Sequence, residues 1–318
     1  MNLRERIYLR TRELIYSYGI RVGVPFGFVR FLIKLCDAVF SPEDFFRRYF
    51  LARKITKNSK WRNFIPRDKG YATFASGELS FFEPLEQAAR KIYETKVKEL
   101  EKRLPEPHYD DIHYNDLIDP QDFKEYPELL EAATSPEIVA ILSDYFGGVP
   151  RLQGIHIWLS TPSMVDDEIH QINGRIYERK EASDVHLDKL EEGLVYLFIM
   201  IKDVSMENGP FVFISKKTSD EIRRKIHYEK NLLAGRPPVS TKDAMQHFER
   251  DAITLTGKAG EGIFVDVAQC LHRPSLCIEG ERAMIVLRYR SARPQFHCDR
   301  SYTRDDYDPD DLIQNLVL

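Results

Sequence analysis

Short runs of consecutive apolar residues in the second half of the chain predict the strands of a buried sheet. Residues 193–201 and 211–214 form two such runs, and an Asn-Gly-Pro turn segment lies between them. Residues 263–267 and 283–287 form two more, each preceded by glycine or charged positions. Runs of about four to eight apolar residues between turn signals are typical of strands covered on both faces. The pattern therefore predicts a sheet-based core that begins near Leu152.

Helical spacing of apolar residues dominates the first half of the chain. Residues 82–104 place Leu85 and Ile92 on one approximate stripe, which predicts a long amphipathic helix. Similar spacing predicts a helix over residues 43–57 and two short helices over residues 127–146. Helices are thus expected mostly before the sheet in the chain.

The composition is that of a soluble globular protein. Of 318 residues, 43% are hydrophobic and 30% are charged, so the chain can bury a sizeable core. Four cysteines show no close paired spacing, which predicts reduced thiols in a cytoplasmic protein. Three of them, at positions 270, 277 and 298, lie near His272 and His297. A zinc site is therefore an alternative, although no Cys-x-x-Cys pair supports it.

The net charge of -4 conceals a basic N-terminal region. Residues 1–60 contain thirteen Lys or Arg against five Asp or Glu, so they carry +8 while the remainder carries -12. Aromatic and aliphatic residues are interleaved with these bases, as in helices that lie on an anionic membrane surface. Residues 1–40 would then make peripheral membrane contact; the alternative is that their apolar face packs on the rest of the protein. The basic excess is local and no recognition motif accompanies it, so no nucleic-acid partner is predicted.

Neither a membrane span nor a cleaved leader is predicted. Arg21, Arg30 and Lys34 interrupt the most apolar N-terminal stretch. Charges recur through this region, and no small-residue cleavage site follows a clean apolar core. The expected location is cytoplasmic, with peripheral membrane association as its variant.

His186 and Asp188 are the strongest candidates for metal ligands. Residues two apart in an extended strand point the same way, so both side chains could reach one ion. His272 follows 86 residues after His186, and Arg282 lies ten residues further on. Two histidines and one carboxylate suit non-haem Fe(II) and leave positions open for a co-substrate and oxygen. A nearby arginine could hold the carboxylate of a 2-oxo acid through paired hydrogen bonds.

The arginine assignment has two rivals. Arg288 and Arg290 share the strand parity of Arg282, and Arg282 is favoured because it lies nearest the predicted hairpin bend. The ligands also have structural alternatives. The His-x-Asp pair could be exposed near a turn, and the later histidine could cap a turn.

Four segments around these residues match a known family, in order and at suitable spacing. They are His-Leu-Asp at 186–188, DVSMENGPFVF at 203–213, GEGIFVDVAQCLHR at 260–273 and ERAMIVLRY at 281–289. They resemble the phytanoyl-CoA dioxygenase family of Fe(II)/2-oxoglutarate oxygenases, over roughly residues 150–292. The resemblance implies that His186, Asp188 and His272 are the iron ligands. It also implies that Arg282 binds the distal carboxylate of 2-oxoglutarate and that Ser275 supports that carboxylate.

Pattern and resemblance together predict an α+β protein with a mainly β core. The core would be a double-stranded β-helix, a jelly-roll or cupin-like barrel, with packed and mostly N-terminal helices. Residues 1–60 would form the basic amphipathic helical region and residues 61–318 the oxygenase domain. Residues 216–250 break the strand pattern and predict a charged helical insertion in a position to act as a lid.

The resemblance implies a dioxygenase that consumes 2-oxoglutarate and O2 and releases succinate and CO2. Its product would be a hydroxylated C–H position on a small-molecule or lipid-linked substrate. Desaturation, ring closure and epimerisation use the same kind of centre, and no residue names the substrate. Two alternatives remain: a non-catalytic metal- or ligand-binding barrel that acts as sensor or scaffold, and a membrane-surface interaction module.

Overall fold

A computed structural model describes most of the chain as helices around two larger antiparallel sheets, with a third sheet formed by two short strands. The described residues are 3–24, 26–103, 115–161, 170–172, 175–177, 185–188, 193–229, 239, 242–273, 275, 277–291, 308 and 310–318. The helices are α1 (Leu3–Arg21), α2 (Phe26–Phe40), α3 (Pro42–Thr56), α4 (Phe82–Arg103), α5 (Asp122–Glu125), α6 (Glu128–Ala133), α7 (Pro136–Phe146), α8 (Lys216–Ile226), α9 (Lys242–Arg250) and α10 (Leu312–Val317). The strands are β1 (Tyr71–Phe74), β2 (Asn115–Asp116), β3 (Arg151–Ser160), β4 (His170–Ile172), β5 (Arg175–Tyr177), β6 (Leu194–Met200), β7 (Val212–Phe213), β8 (Ile253–Thr254), β9 (Gly262–Asp266), β10 (His272–Arg273) and β11 (Arg282–Arg290).

The two larger sheets share an apolar interior. One has the strand order β1-β9-β6-β11-β3-β2 and the other the order β10-β7-β8. Phe198, Val265 and Met284 of the first sheet pack in one cluster with Phe213 of the second. The mixed architecture of helices and antiparallel sheet is confirmed, and the four apolar runs of the sequence become β6, β7, β9 and β11.

Helices cover the outer face of the six-stranded sheet. Leu197, Phe264 and Leu287 point to this side, where they pack with Leu85 of α4 and Ile141 of α7. All seven residues of β6 are buried because the strand is covered on both faces. That double burial explains why the sequence shows continuous apolar runs instead of alternation.

The N-terminal helices are tied together and to the sheet layer by buried arginines. Arg12 of α1 pairs with Asp37 of α2 at 3.1 Å. Arg48 of α3 donates from Nη1 to the carbonyl oxygens of Val149 and Pro150, at 3.2 and 3.3 Å, just before β3. No helix in the described part of the chain is long and apolar enough to cross a bilayer. The division into a region 1–60 and a domain 61–318 stays a prediction.

Helices α8 and α9 lie within the predicted insertion. Ile222 and Phe248 pack in a small cluster with Leu187. The Tyr228 hydroxyl, in the same cluster, accepts a hydrogen bond from the Leu187 amide at 2.9 Å. The insertion therefore supports the segment that carries the first two predicted ligands, and its role as a lid stays a prediction.

Candidate metal centre

His186, Asp188 and His272 lie together in the structure. Each offers one ligand atom, and these three atoms all lie within 4.8 Å of one another. Asp188 Oδ1 is 3.4 Å from Nε2 of His186 and 3.8 Å from Nε2 of His272. Among the described residues, this is the one group of His, Cys, Asp and Glu side chains with such geometry. A set of two imidazole nitrogens and one carboxylate oxygen suits a single divalent transition metal.

The backbone that carries the ligands is less regular than the predicted strand. His186 and His272 exchange two hydrogen bonds of 3.0 Å in an isolated antiparallel bridge. Beyond that bridge, the Leu187 amide bonds to the Tyr228 hydroxyl and the Asp188 amide bonds to the Val267 carbonyl, at 2.9 Å each. Because these amides find partners in different segments, no continuous ladder forms. The bridge nevertheless brings the two histidine rings to a centroid distance of 4.5 Å.

The environment of His272 prepares it as a neutral ligand. Its Nδ1 lies 3.0 Å from the main-chain oxygen of Cys270, which can only accept, so Nδ1 carries the proton. Its Nε2 therefore presents a lone pair toward Asp188 and His186. Burial lowers the pKa of His272 to about 4, although the Asp188 carboxylate opposes this shift. A histidine that is already deprotonated can bind a metal at neutral pH without losing a proton.

Asp188 is prepared as an ionised ligand. Burial by itself would raise its pKa, but the two histidines and Tyr196 outweigh burial and hold the pKa of Asp188 well below its usual range. The Tyr196 hydroxyl donates to Oδ2 of Asp188 at 2.9 Å, and Oδ1 faces the histidines. Sequence reasoning missed Tyr196. The available signal was that it is the one polar side chain in the apolar run 193–201.

Arg282 lies at the start of β11 on the face that points into the apolar interior. It shares this face with Met284 and Val286, which belong to the interior cluster. Its Nη2 donates to the Ser160 hydroxyl at 2.9 Å, and its Nη1 donates to the Gly209 carbonyl. Burial lowers the pKa of Arg282 to about 10, so the group stays charged at neutral pH. Ser160 is a second polar residue at this position that sequence reasoning missed.

The rival Arg288 lies nearer to Asp188 than its place in the sequence suggests. Its guanidinium carbon is 5.2 Å from the ring centroid of Tyr196, the residue that bonds to Asp188. Its Nε is buried and has no hydrogen-bond partner among the protein atoms described. Six residues of strand separate it from Arg282, which corresponds to about 20 Å along β11. The two arginines thus mark opposite ends of the interior face of this strand.

The remaining sequence candidates lie outside this group. Ser275 lies three residues after His272 and is half-buried. Its role in supporting the carboxylate of 2-oxoglutarate stays a prediction. Cys270 and Cys277 are buried, and burial raises the pKa of both thiols. His297 and Cys298 lie outside the described residues. No cysteine joins a three-residue ligand group in the part of the chain that the structure describes.

Comparisons with known proteins give distant structural likenesses. No family model matches the chain, and no curated protein matches it. The carbocyclase SnoK from nogalamycin biosynthesis, a non-haem α-ketoglutarate-dependent protein, is 20% identical over 76% of this chain and 89% of its own, with a TM-score of 0.45. HygX from Streptomyces hygroscopicus, solved with nickel and 2-oxoglutarate, is 13% identical over 76% of this chain and 89% of its own, with a TM-score of 0.40.

AviO1 from Streptomyces viridochromogenes is similar at the same level. It is 14% identical over 72% of this chain and 92% of its own, with a TM-score of 0.41. At these identities the chemistry of the solved proteins does not carry over to this chain. The resemblance to the phytanoyl-CoA dioxygenase family stays a prediction from the sequence motifs.

Proposed function

We propose that the protein is an Fe(II)- and 2-oxoglutarate-dependent dioxygenase that hydroxylates a C–H bond of a small-molecule or lipid-linked substrate. The observation that carries the proposal is the His186, Asp188 and His272 group, whose ligand atoms lie within 4.8 Å of one another. The strand order of the two sheets supports a double-stranded β-helix as the scaffold.

The side chains fit a ferrous ion. Two imidazoles and one carboxylate would hold the ion from one side and leave positions open for a co-substrate and oxygen. When bound there with 2-oxoglutarate and O2, iron supplies the oxidation of an unactivated C–H bond, with succinate and CO2 as co-products. The chain's own part is orientation: the Cys270 carbonyl fixes the ring of His272, and the Tyr196 hydroxyl fixes the carboxylate of Asp188.

Arg282 is the proposed partner of the distal carboxylate of 2-oxoglutarate. Its guanidinium is buried and charged, and its described hydrogen bonds go to the uncharged oxygens of Ser160 and Gly209. A carboxylate of 2-oxoglutarate would supply a negative charge that these two partners lack. Arg282 is buried, as are Met284 and Val286 on the same face of β11, and a low-dielectric environment strengthens such a pair. Ser275 is the further candidate for the same carboxylate.

The test compares metal binding and turnover in matched variants. We expect His272→Ala and Asp188→Ala to abolish tight Co(II) binding, measured by calorimetry, and succinate release in the presence of Fe(II), 2-oxoglutarate and O2. His156→Ala is the control, because His156 lies 2.6 Å from Asp116 in a second His–Asp pair that is not part of the ligand group. Wild-type protein that binds no divalent metal would overturn the proposal. Binding of 2-oxoglutarate without consumption would favour the non-catalytic barrel.

Peripheral membrane contact is a second component of the proposal, favoured by exposed apolar stripes on the N-terminal helices. On α2, Phe28, Phe31, Leu35 and Val39 recur at helical spacing with 52%, 58%, 52% and 68% of their surfaces exposed. Exposed apolar residues also occur on the neighbouring helices: Leu3, Ile7, Leu14 and Tyr18 on α1, and Phe46, Tyr49 and Phe50 on α3. With a charge of +8 over residues 1–60, this surface is suited to an anionic bilayer.

Vesicle co-sedimentation tests the membrane component. We expect wild-type protein to bind phosphatidylserine vesicles more strongly than neutral phosphatidylcholine vesicles. The triple variant Phe28→Ser/Leu35→Ser/Val39→Ser should lose most of this binding. Met206→Ser/Ile278→Ser is the control, since these residues expose 61% and 67% of their surfaces elsewhere on the molecule. Equal binding by all three proteins would contradict a membrane role for α2.

A further inference from the structure

A cavity of about 490 Å³ lies between the N-terminal helices and the end of the six-stranded sheet. Its wall carries five cationic side chains and two acidic ones. The cations are Arg12, Arg30, Lys34, Arg67 and Lys216, and the acids are Asp37 and Asp266. A concave site of this size can hold a small organic molecule. The excess of positive charge indicates an anion.

The two acids already have partners within the protein. Asp37 pairs with Arg12 at 3.1 Å. Asp266 is buried and accepts a hydrogen bond from the Tyr145 hydroxyl at 2.8 Å. Burial raises the pKa of Asp266, an effect that the positive charge of Arg30 opposes. The positive charges of Arg12 and Arg30 thus face the two acids, and the wall keeps an excess of positive charge through Lys34 and Arg67.

Three of the cations form the core of the site. Arg30 and Lys34 are four residues apart on α2 and so share a helix face. Lys34 Nζ donates to the main-chain oxygen of Phe146 at 3.3 Å, and Arg67 Nη2 donates to that of Asp144 at 2.8 Å. These acceptors are uncharged. Desolvation lowers the pKa of Lys34, and the nearby charges of Arg30 and Arg67 lower it further, while Asp37 opposes the shift. Lys34 is therefore repelled by both arginines.

We propose that this cavity binds the phosphate or diphosphate group of a small molecule or a lipid headgroup. Arg30, Lys34 and Arg67 would hold the anion, because guanidinium and ammonium groups form short charge-assisted hydrogen bonds with phosphate oxygens. Phe31 and Phe146 line the same cavity and would cover the apolar part of the ligand next to the phosphate. The remaining cation of the wall, Lys216, already pairs with Asp220 at 2.6 Å.

The cavity lies at the end of the sheet that is nearer to the metal ligands. Gly193 and Ser291, which line it, adjoin the first residue of β6 and the last residue of β11, and these strands are antiparallel neighbours. Asp266 is the last residue of β9 at the same end of the sheet. The carbonyl of the next residue, Val267, accepts a hydrogen bond from the Asp188 amide at 2.9 Å. Asp266 faces the helices, however, whereas Asp188 meets Tyr196 of the interior. The two sites therefore lie at the same end of the sheet but on different faces.

Pyrophosphate binding to the full chain, measured by calorimetry, tests the proposed site. Lys34→Ala/Arg67→Ala should weaken binding at least about tenfold, because two charge-assisted contacts are lost. Arg21→Ala/Arg62→Ala is the matched control, since it removes the same charge from exposed positions of the helix α1 and the loop after α3, outside the cavity. The control should bind within about twofold of wild type, and higher salt should weaken binding in both.

A second arm separates a soluble phosphate compound from a lipid. Vesicles of phosphatidylcholine with and without phosphatidic acid are compared for binding to the same variants. Selective loss with the Lys34/Arg67 variant in the pyrophosphate arm supports a soluble ligand, and selective loss only in the phosphatidic acid arm supports a headgroup. Equal behaviour of the two double variants in both arms overturns the proposal. Co(II) binding by the Lys34/Arg67 variant, which should equal that of wild type, verifies that its fold is intact.

Discussion

At the scale of single residues, the two arginines on the inner face of β11 give the proposed co-substrate site a sharp test. Arg282→Met should weaken 2-oxoglutarate binding about 30-fold or more, because a buried charge pair is worth about 2–5 kcal/mol when one partner is removed. Arg288→Met should leave that affinity within a few-fold, since Arg288 stacks over Tyr196 at the other end of the strand. Calorimetry with Co(II)-loaded protein measures both. If Arg288→Met weakened 2-oxoglutarate binding and Arg282→Met did not, Arg288 would be the partner of the distal carboxylate.

His272 also predicts how the metal-free protein responds to pH. Its folded pKa of about 4 lies below the ordinary value of 6.5, so the unfolded chain takes up this proton first as the pH falls. Protonation of His272 therefore does not affect the free energy of unfolding above about pH 6.5. As the pH falls from 6.5 to about 4, this group lowers the free energy of unfolding by at most about 3 kcal/mol. Urea unfolding in chelator at pH 7 and pH 4.5 should therefore show a smaller free energy of unfolding at the lower pH.

His272→Asn provides the comparison for that experiment. The variant lacks the titrating ring, so its free energy of unfolding should change less between the two pH values than that of wild type. Asp188 does not confuse this interval, because its folded pKa is lowered and its contribution is lost only below its ordinary value of 3.8. An identical pH dependence in wild type and variant would show that His272 is not the group responsible.

The residue-scale features divide into those that local sequence predicts and those that it does not. His186, Asp188 and His272 stand out because their spacing within and between apolar runs is visible in one sequence. Tyr196 and Ser160 are not visible as partners of Asp188 and Arg282, because each pair forms only when separate segments of the chain come together. Such contacts depend on strand register, which the sequence pattern leaves open.

At the scale of elements, Gly262 at the start of β9 permits the close approach of three strands. A Cβ atom at this position would overlap the ring of Phe74 in β1 and lie 2.5 Å from the main-chain oxygen of Phe198 in β6. We expect Gly262→Ala to lower the free energy of unfolding by about 1–3 kcal/mol, since backbone atoms cannot move aside cheaply. Urea denaturation measures the change. Gly148→Ala is the control, because a Cβ there would meet no atom within 4 Å; an equal effect of both substitutions would contradict the packing argument.

The elements themselves were predictable where their burial was uniform. The continuous apolar runs of β6, β9 and β11 follow from burial on both faces, and the stripe of α4 follows from burial on one. Strand β2 has only two residues, and its pairing with β3 is set by residues more than forty positions away, so no local pattern revealed it. For the apolar residues of α1 to α3 the sequence left two roles open, packing and membrane contact, and the structure buries some of them and exposes others. Each of these helices carries apolar residues on an exposed face.

At the scale of the whole molecule, a division near residue 60 implies that the N-terminal helices could unfold separately from the sheet. The contacts of α3 argue for one cooperative unit. Arg48 is almost fully buried and donates to Asp44 at 2.9 Å. It also donates to the carbonyl oxygens of Val149 and Pro150, just before β3. Burial lowers the pKa of Arg48, and the Asp44 carboxylate opposes that shift. The buried cation therefore joins a carboxylate of α3 to main-chain oxygens next to the sheet.

Arg48→Met should therefore weaken the whole fold and not just one helix. Loss of the buried cation leaves two carbonyl oxygens without their donor and leaves Asp44 with only the more distant Arg151, at 3.8 Å, at a cost of about 2–4 kcal/mol. Arg47→Met, an exposed neighbour, should change stability little. Thermal unfolding is followed by far-ultraviolet circular dichroism for the helices and by the fluorescence of Trp61 and Trp158, which both lie outside α1 to α3. The two transitions should coincide and shift together. Loss of the helical signal at a lower temperature, with an unchanged fluorescence transition, would instead establish α1 to α3 as an independent unit. The helices could unfold while the sheet stayed folded only if the contacts of Arg48 coupled them weakly.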